Sequence, residues 1–291
     1  MGALRSVVGT APAAVLGATA FGTGVLEQAD RAIRAPLALS RRLGFVQLTG
    51  GVGASTTASL VANLLARRRT GPVLGVDAAG GSRSMLWHAG LPDLPPTDDD
   101  ARRRDPASTA DATAGLVRAG SGLYALDVRE AGTDDELGAP PRQATESRWA
   151  EAVAPVTRFF DVVCTDWGVR LPGVDLTAVA YASHAVCLVA RTDRVSLERA
   201  MAVVDAIRSL EHRPIVVVAA VDVGRSGSRA VEAVRWPDAT VLRIPAEAAR
   251  LAAVPRSSRD LTVATRTAHA RLAAALLDTR TVGATTERSA R

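Results

Sequence analysis

From Leu43 onward, short β-branched apolar runs alternate with amphipathic segments. That alternation is the signature of βαβ units and of a mostly parallel sheet. The runs predict strands over Gly44–Leu48, Val73–Val76, Leu123–Leu126, Val162–Thr165, Ala185–Val189, Ile215–Val221 and Thr240–Leu242. Most are uninterrupted, as expected for strands covered by helices on both faces. Thr56–Arg68, Val195–Leu210 and Thr265–Leu277 read as helices, the second with Leu197, Ala200, Met201, Val204 and Ile207 on one core-facing stripe. The predicted fold class is therefore α/β: a doubly wound, mostly parallel sheet with helices on both faces.

Two stretches interrupt the regularity. Leu91–Ala112, with Pro92, Pro95, Pro96, Asp98–Asp100 and Arg102–Arg104, reads as a solvated loop, and Glu130–Arg142 as a second one. Upstream, Ser6–Leu26 carries no charge, but Gly, Thr, Ala and Pro12 stand where a membrane span needs Leu, Ile and Phe. It is expected to pack on the domain or lie loosely on a surface, with peripheral membrane contact as the lesser alternative. Met1–Asp30 lacks a consistent helical or strand period and is expected to be dispensable for folding, and Arg31–Arg42 reads as a basic lead-in to the first strand. The expected organisation is an N-terminal extension over 1–42, one domain over 43–278, and a polar disordered tail over 279–291.

An apolar share of 47% and a charged share of 22% exclude a mainly disordered chain, and a net charge of +5 excludes a strongly polybasic nucleic-acid binder. All 35 basic residues are Arg. The absence of Lys rules out Schiff-base chemistry and any phosphate-gripping lysine. Cys164 and Cys187 each fall inside an apolar run, so they read as reduced core residues of a cytoplasmic protein. His88, His184, His212 and His269 share no ligand spacing, and no Gly-x-Ser-x-Gly elbow occurs.

Candidate chemistry gathers after the first strand. Phe45–Leu48 runs into Thr49-Gly50-Gly51-Val52-Gly53-Ala54-Ser55-Thr56-Thr57 and then a helix. Strand, glycine loop and helix make the layout of a phosphate cradle, in which backbone N–H groups and the helix N-terminus face an anion. Gly50, Gly51, Val52, Gly53, Ala54, Ser55 and Thr56 are the candidate cofactor-binding residues, with the Ser55 hydroxyl placed to meet Mg²⁺.

These residues resemble the MinD/ParA family of P-loop ATPases, whose loop reads Lys-Gly-Gly-x-Gly-Lys-[Ser/Thr]. Val73–Ala79 resembles the family's second strand ending in Asp-x-Asp, Phe160–Asp166 its Walker B strand, and Ser183–Ala190 the strand that follows. The resemblance spans Leu43 to Leu277. It implies the P-loop fold, ATP with Mg²⁺ as cofactor, Ser55, Asp77 and Asp166 as metal-holding positions, and Asp77 and Asp166 as the catalytic carboxylates of an active member. The departures are in the chemistry. The family's two lysines fall on Thr49 and Ala54, its water-positioning carboxylate on Ala79, the Thr-Pro-Pro after Walker B on Trp167-Gly168-Val169, and an adenine-contacting Asn within Ala220-Val221-Asp222.

Phosphoryl transfer is almost wholly positioning and charge stabilisation, so these losses remove most of what catalysis requires. Two readings follow. One is a pseudo-ATPase that binds or positions another protein in cell division, partition or secretion, with a homodimer-like surface retained. The other is a slow ATPase or nucleotide-gated switch with a compensating Arg, for which Arg83 and Arg170 are the candidates. Altered loops and Ala/Arg-rich composition also resemble actinobacterial relatives of septum placement, pilus assembly and type VII secretion, and peripheral contact at the inner face of the membrane is carried as an alternative through the N-terminal extension. Arg67–Arg69 and Arg102–Arg104 are short and read as solvated faces, against nucleic-acid binding. Trp167 has two readings of equal weight: a plug over the vacated site at the strand's carboxyl end, or packing beneath the neighbouring loop.

Overall fold

The computed structural model describes residues 24–91, 105–130, 141–223, 231, 239–247 and 260–278. The bulk of the uncharged segment, most of both predicted loops, Trp236 and the polar tail lie outside the described residues.

Helical residues 24–34 (α1) precede β1 (Arg41–Gln47), which leads through the glycine loop into α2 (Ala54–Arg68). There follow β2 (Val73–Asp77), α3 (Met85–His88), α4 (Thr109–Thr113), β3 (Val117–Arg118) and β4 (Tyr124–Asp127). The second half adds α5 (Glu146–Thr157), β5 (Val162–Val169), α6 (Val174–Ala182), β6 (Ala185–Arg191), α7 (Arg194–Arg208), β7 (Ile215–Val221), β8 (Thr240–Ile244) and α8 (Val263–Leu277). One eight-stranded sheet has the order β3-β4-β2-β5-β1-β6-β7-β8, parallel throughout except for the antiparallel β3–β4 pair. The predicted fold class is the one observed.

Both faces of the sheet are buried. Leu43 and Phe45 of β1 pack with Ala58, Val61 and Leu65 of α2 and Leu272 and Leu276 of α8 on one face. Val46 joins Trp149, Val153, Val179, Ala200 and Val204 on the other, under α5, α6 and α7. The doubly covered strands explain the uninterrupted apolar runs. Cys164 and Cys187 are buried and free, with burial pushing both thiols upward.

Several boundaries move. β5 runs four residues past its predicted end at Thr165, through Asp166, Trp167 and Gly168 to Val169. On α7, Val203 takes the buried place expected for Met201, which is only partly covered. α1 replaces part of the expected lead-in. Its Ile33 is buried in the core that holds the α2 face, and Ala29, four residues before it, is buried as well. Arg69 closes the helix by donating to Ile33 O at 2.6 Å and Ala35 O at 3.2 Å, and Asp30 pairs with Arg34 and Arg68. Of the stretch Met1–Asp30 expected to be dispensable, residues 24–30 belong to this helix, with Ala29 buried and Asp30 paired, while Ile33 and Ala35 lie in the expected lead-in.

Candidate functional site

The glycine loop sits between the carboxyl end of β1 and the N-terminus of α2. Gly51 and Gly53 have φ of +74° and +93°, a region that only glycine enters without strain, so the loop's curvature is fixed by these two residues. Gly53 is the N-cap of α2 and makes no side-chain cap, which leaves the first turn's N–H groups to other acceptors. Gly50 and Gly51 are exposed, Val52 is buried in the core, and Ala54 opens the helix fully buried. Thr49, at the family's signature lysine, is exposed.

One of those first-turn donors is already taken. Ala54 N–H donates to Gln47 Oε1 at 3.3 Å, a buried contact within the chain. Gln47 follows Leu43 and Phe45 by the two-residue period of a strand, so its carboxamide faces α2. Thr56 Oγ1 lies 3.3 Å from His88 Nε2.

Asp77 ends β2 and pairs in register with Asp166 of β5. Both carboxylates are completely buried. Asp166 accepts from the Ser55 hydroxyl and from the Gly168 and Met85 backbone N–H groups, the Gly168 bond measuring 3.0 Å. Asp77 accepts from Ala79 N–H at 3.2 Å and from the Ser84 side chain. Burial raises the Asp77 carboxyl to about 8, with the Asp166 charge adding to it, and burial raises Asp166 too. Oδ2 of each has no hydrogen-bond partner. The structure thus brings Ser55, Asp77 and Asp166 together. Two unsatisfied carboxylate oxygens beside a hydroxyl are a donor set suited to a hard cation such as Mg²⁺. No cluster of three or more His, Cys, Asp or Glu side chains with ligand geometry occurs among the described residues.

Neither arginine singled out by sequence position reaches the loop as a phosphate contact. Arg170 is buried, with Nε on Trp167 O at 2.9 Å, Nη2 on Ala144 O at 2.9 Å and on Ala78 O at 3.3 Å, and burial lowers its pKa. Arg83 lies over the Trp87 ring, 5.7 Å from its centroid. Two other arginines stand at the site. Arg191, at the end of β6 next to β1, places Nη2 3.9 Å from where a Cβ on Gly51 would sit. Arg129 packs its guanidinium against Asp127 and lies 3.8 Å from Asp77 Oδ2. Sequence reasoning singled out neither, because only the parallel pairing of the strands brings residues at or just past their carboxyl ends to one place.

Trp167 does not cover the site. Asp166 faces α2 while Trp167, the next residue, points to the opposite face of the sheet, 1% exposed. The β1–β5 register slips there, Phe45 pairing with Asp166 and Val46 with Gly168. The ring lies 5.4 Å from Trp149 and has Arg170 5.2 Å from its centroid, beneath the core of α5 and α6. Gly168 has φ +66°, and a Cβ there would come within 2.8 Å of Ala79 Cβ. The residue at the water-positioning place is thus packed into this turn. Asp222, near the adenine-contacting position, is held by Thr192 at 2.7 Å and by Arg243 at 2.8 Å.

The sequence matches no family model and no curated protein. Among solved structures, the cell division ATPase MinD of Pyrococcus furiosus superposes with a TM-score of 0.54 at 16% identity, covering 80% of this chain and 97% of its own. MinD in the MinC:MinD cell division complex of Aquifex aeolicus gives 0.51 at 18%, covering 80% and 95%. The septum site-determining protein MinD of Pyrococcus horikoshii, complexed with Mg-ADP, gives 0.50 at 16%, covering 87% and 100%. The chain has the MinD/ParA P-loop fold.

Proposed function

We propose that this chain is a pseudo-ATPase of the MinD/ParA group, a binding or positioning module for another protein that keeps the fold and loop but not the catalytic charges. The reading rests on one observation above all: the two lysine positions hold an exposed Thr49 and a fully buried Ala54. The wall where a water-positioning carboxylate would stand is closed by Ala79 packed at Gly168. Without those groups, no lysine ammonium meets the negative charge spread over the oxygens of a transferring phosphoryl group. A cellular role in division, partition or secretion, and a homodimer-like surface, follow from the same kinship; MinC in the Aquifex aeolicus complex is an instance of a protein partner.

A specific observation favours the second reading, a nucleotide-gated switch or slow ATPase. Arg191 overhangs Gly51, where a phosphate on the loop would meet it. In that state Ser55, Asp77 and Asp166 would hold Mg²⁺, which supplies charge neutralisation at the phosphates. The loop N–H groups would orient the phosphates, and Arg191 would add one charge-assisted contact.

Titration calorimetry with ATP and Mg²⁺ tests the first reading. The wild type should bind weakly, and Ala54→Lys should tighten binding about tenfold or more, since a charge-assisted hydrogen bond contributes about 1.5–3 kcal/mol. Tight wild-type binding that Arg191→Ala abolishes would replace it with the second. Peripheral membrane contact through the N-terminal segment is the lesser alternative beside this reading; among the described residues no helix is long and apolar enough to cross a membrane. Vesicle flotation lost on deleting 1–23 is its test.

A further inference from the structure

The carboxylate pair has a third member and a cation that the nucleotide chemistry does not use. Asp127 ends β4 in register with Asp77, as Asp77 is with Asp166. Three aspartates therefore stand side by side across adjacent strands, all completely buried. Two residues beyond Asp127, Arg129 folds back over the row. Its Nε lies 3.0 and 3.1 Å from the two Asp127 oxygens, Nη2 2.6 Å from Oδ2, and Nη1 donates to Gly81 O at 2.6 Å. The same guanidinium lies 3.8 Å from Asp77 Oδ2, one of the two oxygens left without a hydrogen-bond partner. Arg129 is itself buried to 7% exposure.

A buried carboxylate without a partner is strongly unfavourable, and the guanidinium within reach of Asp77 is already committed to Asp127. A divalent ion at Asp77 and Asp166 would complete the compensation, but it would bring two positive charges up against Arg129 on the oxygen they share. We propose that Arg129, anchored by Asp127, is a built-in counter-ion that holds the Asp77–Asp166 pair in place of a divalent cation, so that the site discriminates against metal until Arg129 is drawn away. The loop is self-satisfied in the same manner, with Gln47 Oε1 on the Ala54 N–H that a phosphate oxygen would otherwise take. This deepens the pseudo-ATPase reading and rests on its placement of the site.

The test uses Mn²⁺ alone, followed on the full chain by loss of the free-ion paramagnetic resonance signal and by thermal melting. Wild type should leave the signal and the midpoint unchanged at millimolar Mn²⁺. Arg129→Gln, and the charge-balanced pair Asp127→Asn with Arg129→Gln, should bind Mn²⁺ about tenfold tighter or more, each tenfold being one step on the logarithmic affinity scale. They should also melt higher with the ion than without. Should either variant be unfolded without metal, Mn²⁺ is expected to restore its melting transition. The proposal is overturned if wild type binds Mn²⁺ as tightly as the variants, if folded variants bind no tighter than wild type, or if unfolded variants are not rescued. ATP turnover by the wild type would count against the pseudo-ATPase reading, while the Mn²⁺ comparison would still judge Arg129.

Discussion

Asp166 and Trp167 are neighbours in sequence that face opposite sides of the sheet, and this separates chemistry from packing. The aspartate's place at the loop was legible from the resemblance of Phe160–Asp166 to a Walker B strand. The tryptophan's was not, because its face is set by alternation along a strand that continues past the aspartate and by a register slip that no local pattern announces. Trp167→Ala should therefore cost about 3–5 kcal/mol in urea unfolding and leave nucleotide affinity unchanged. Trp167→Phe should cost much less, since the indole N–H has no partner to lose. A full-stability Trp167→Ala that gained nucleotide affinity would restore the plug. His184 gives a pH-dependent test. Burial, then Arg42 and Arg41, lower its pKa to about 4, and Nδ1 accepts the Arg42 backbone N–H at 3.0 Å. An unfolded imidazole protonates near 6.5, so the unfolded chain takes up the proton first and stability is lost as pH falls from about 6.5 through about 4. NMR titration should show His184 neutral at pH 5; a midpoint near 6.5 would contradict its burial.

Among the elements, the pattern revealed three helices, α2, α7 and α8. α6 was missed because Val174–Ala182 is apolar on nearly every side, and α5 because Pro155 interrupts it. α1 was hidden for a different reason: the uncharged run ends at Leu26, inside the helix, so the change of composition and the change of structure do not coincide. Its buried Ile33 sets a measurable consequence. Ile33→Ala should destabilise the chain by about 2–5 kcal/mol in equilibrium unfolding. A loss within a few tenths of a kcal/mol would mean that α1 is an appendage, as the composition alone suggested.

At the scale of the molecule, the mostly parallel sheet and its double helical cover were legible because parallel strands buried on both sides read as plain apolar runs, whereas the strand order was not. The site was half legible. Strand, glycines and helix pointed to the loop with Ser55, and the resemblance of two further strands to Asp77 and Asp166, whereas Arg129 and Arg191 reach the site only through pairings of strands far apart in sequence. The missing lysines were plain in the sequence; that Arg170 is committed to backbone carbonyls and that Ala79 is packed at Gly168 required the fold. The proposed function is that of a P-loop architecture without phosphoryl-transfer chemistry. Its most direct test is steady-state ATP hydrolysis by the purified full-length chain with Mg²⁺, beside an Asp166→Ala control. The expected result is phosphate release no faster for wild type than for the control. Turnover that Asp166→Ala abolishes would contradict the claim and establish a working ATPase.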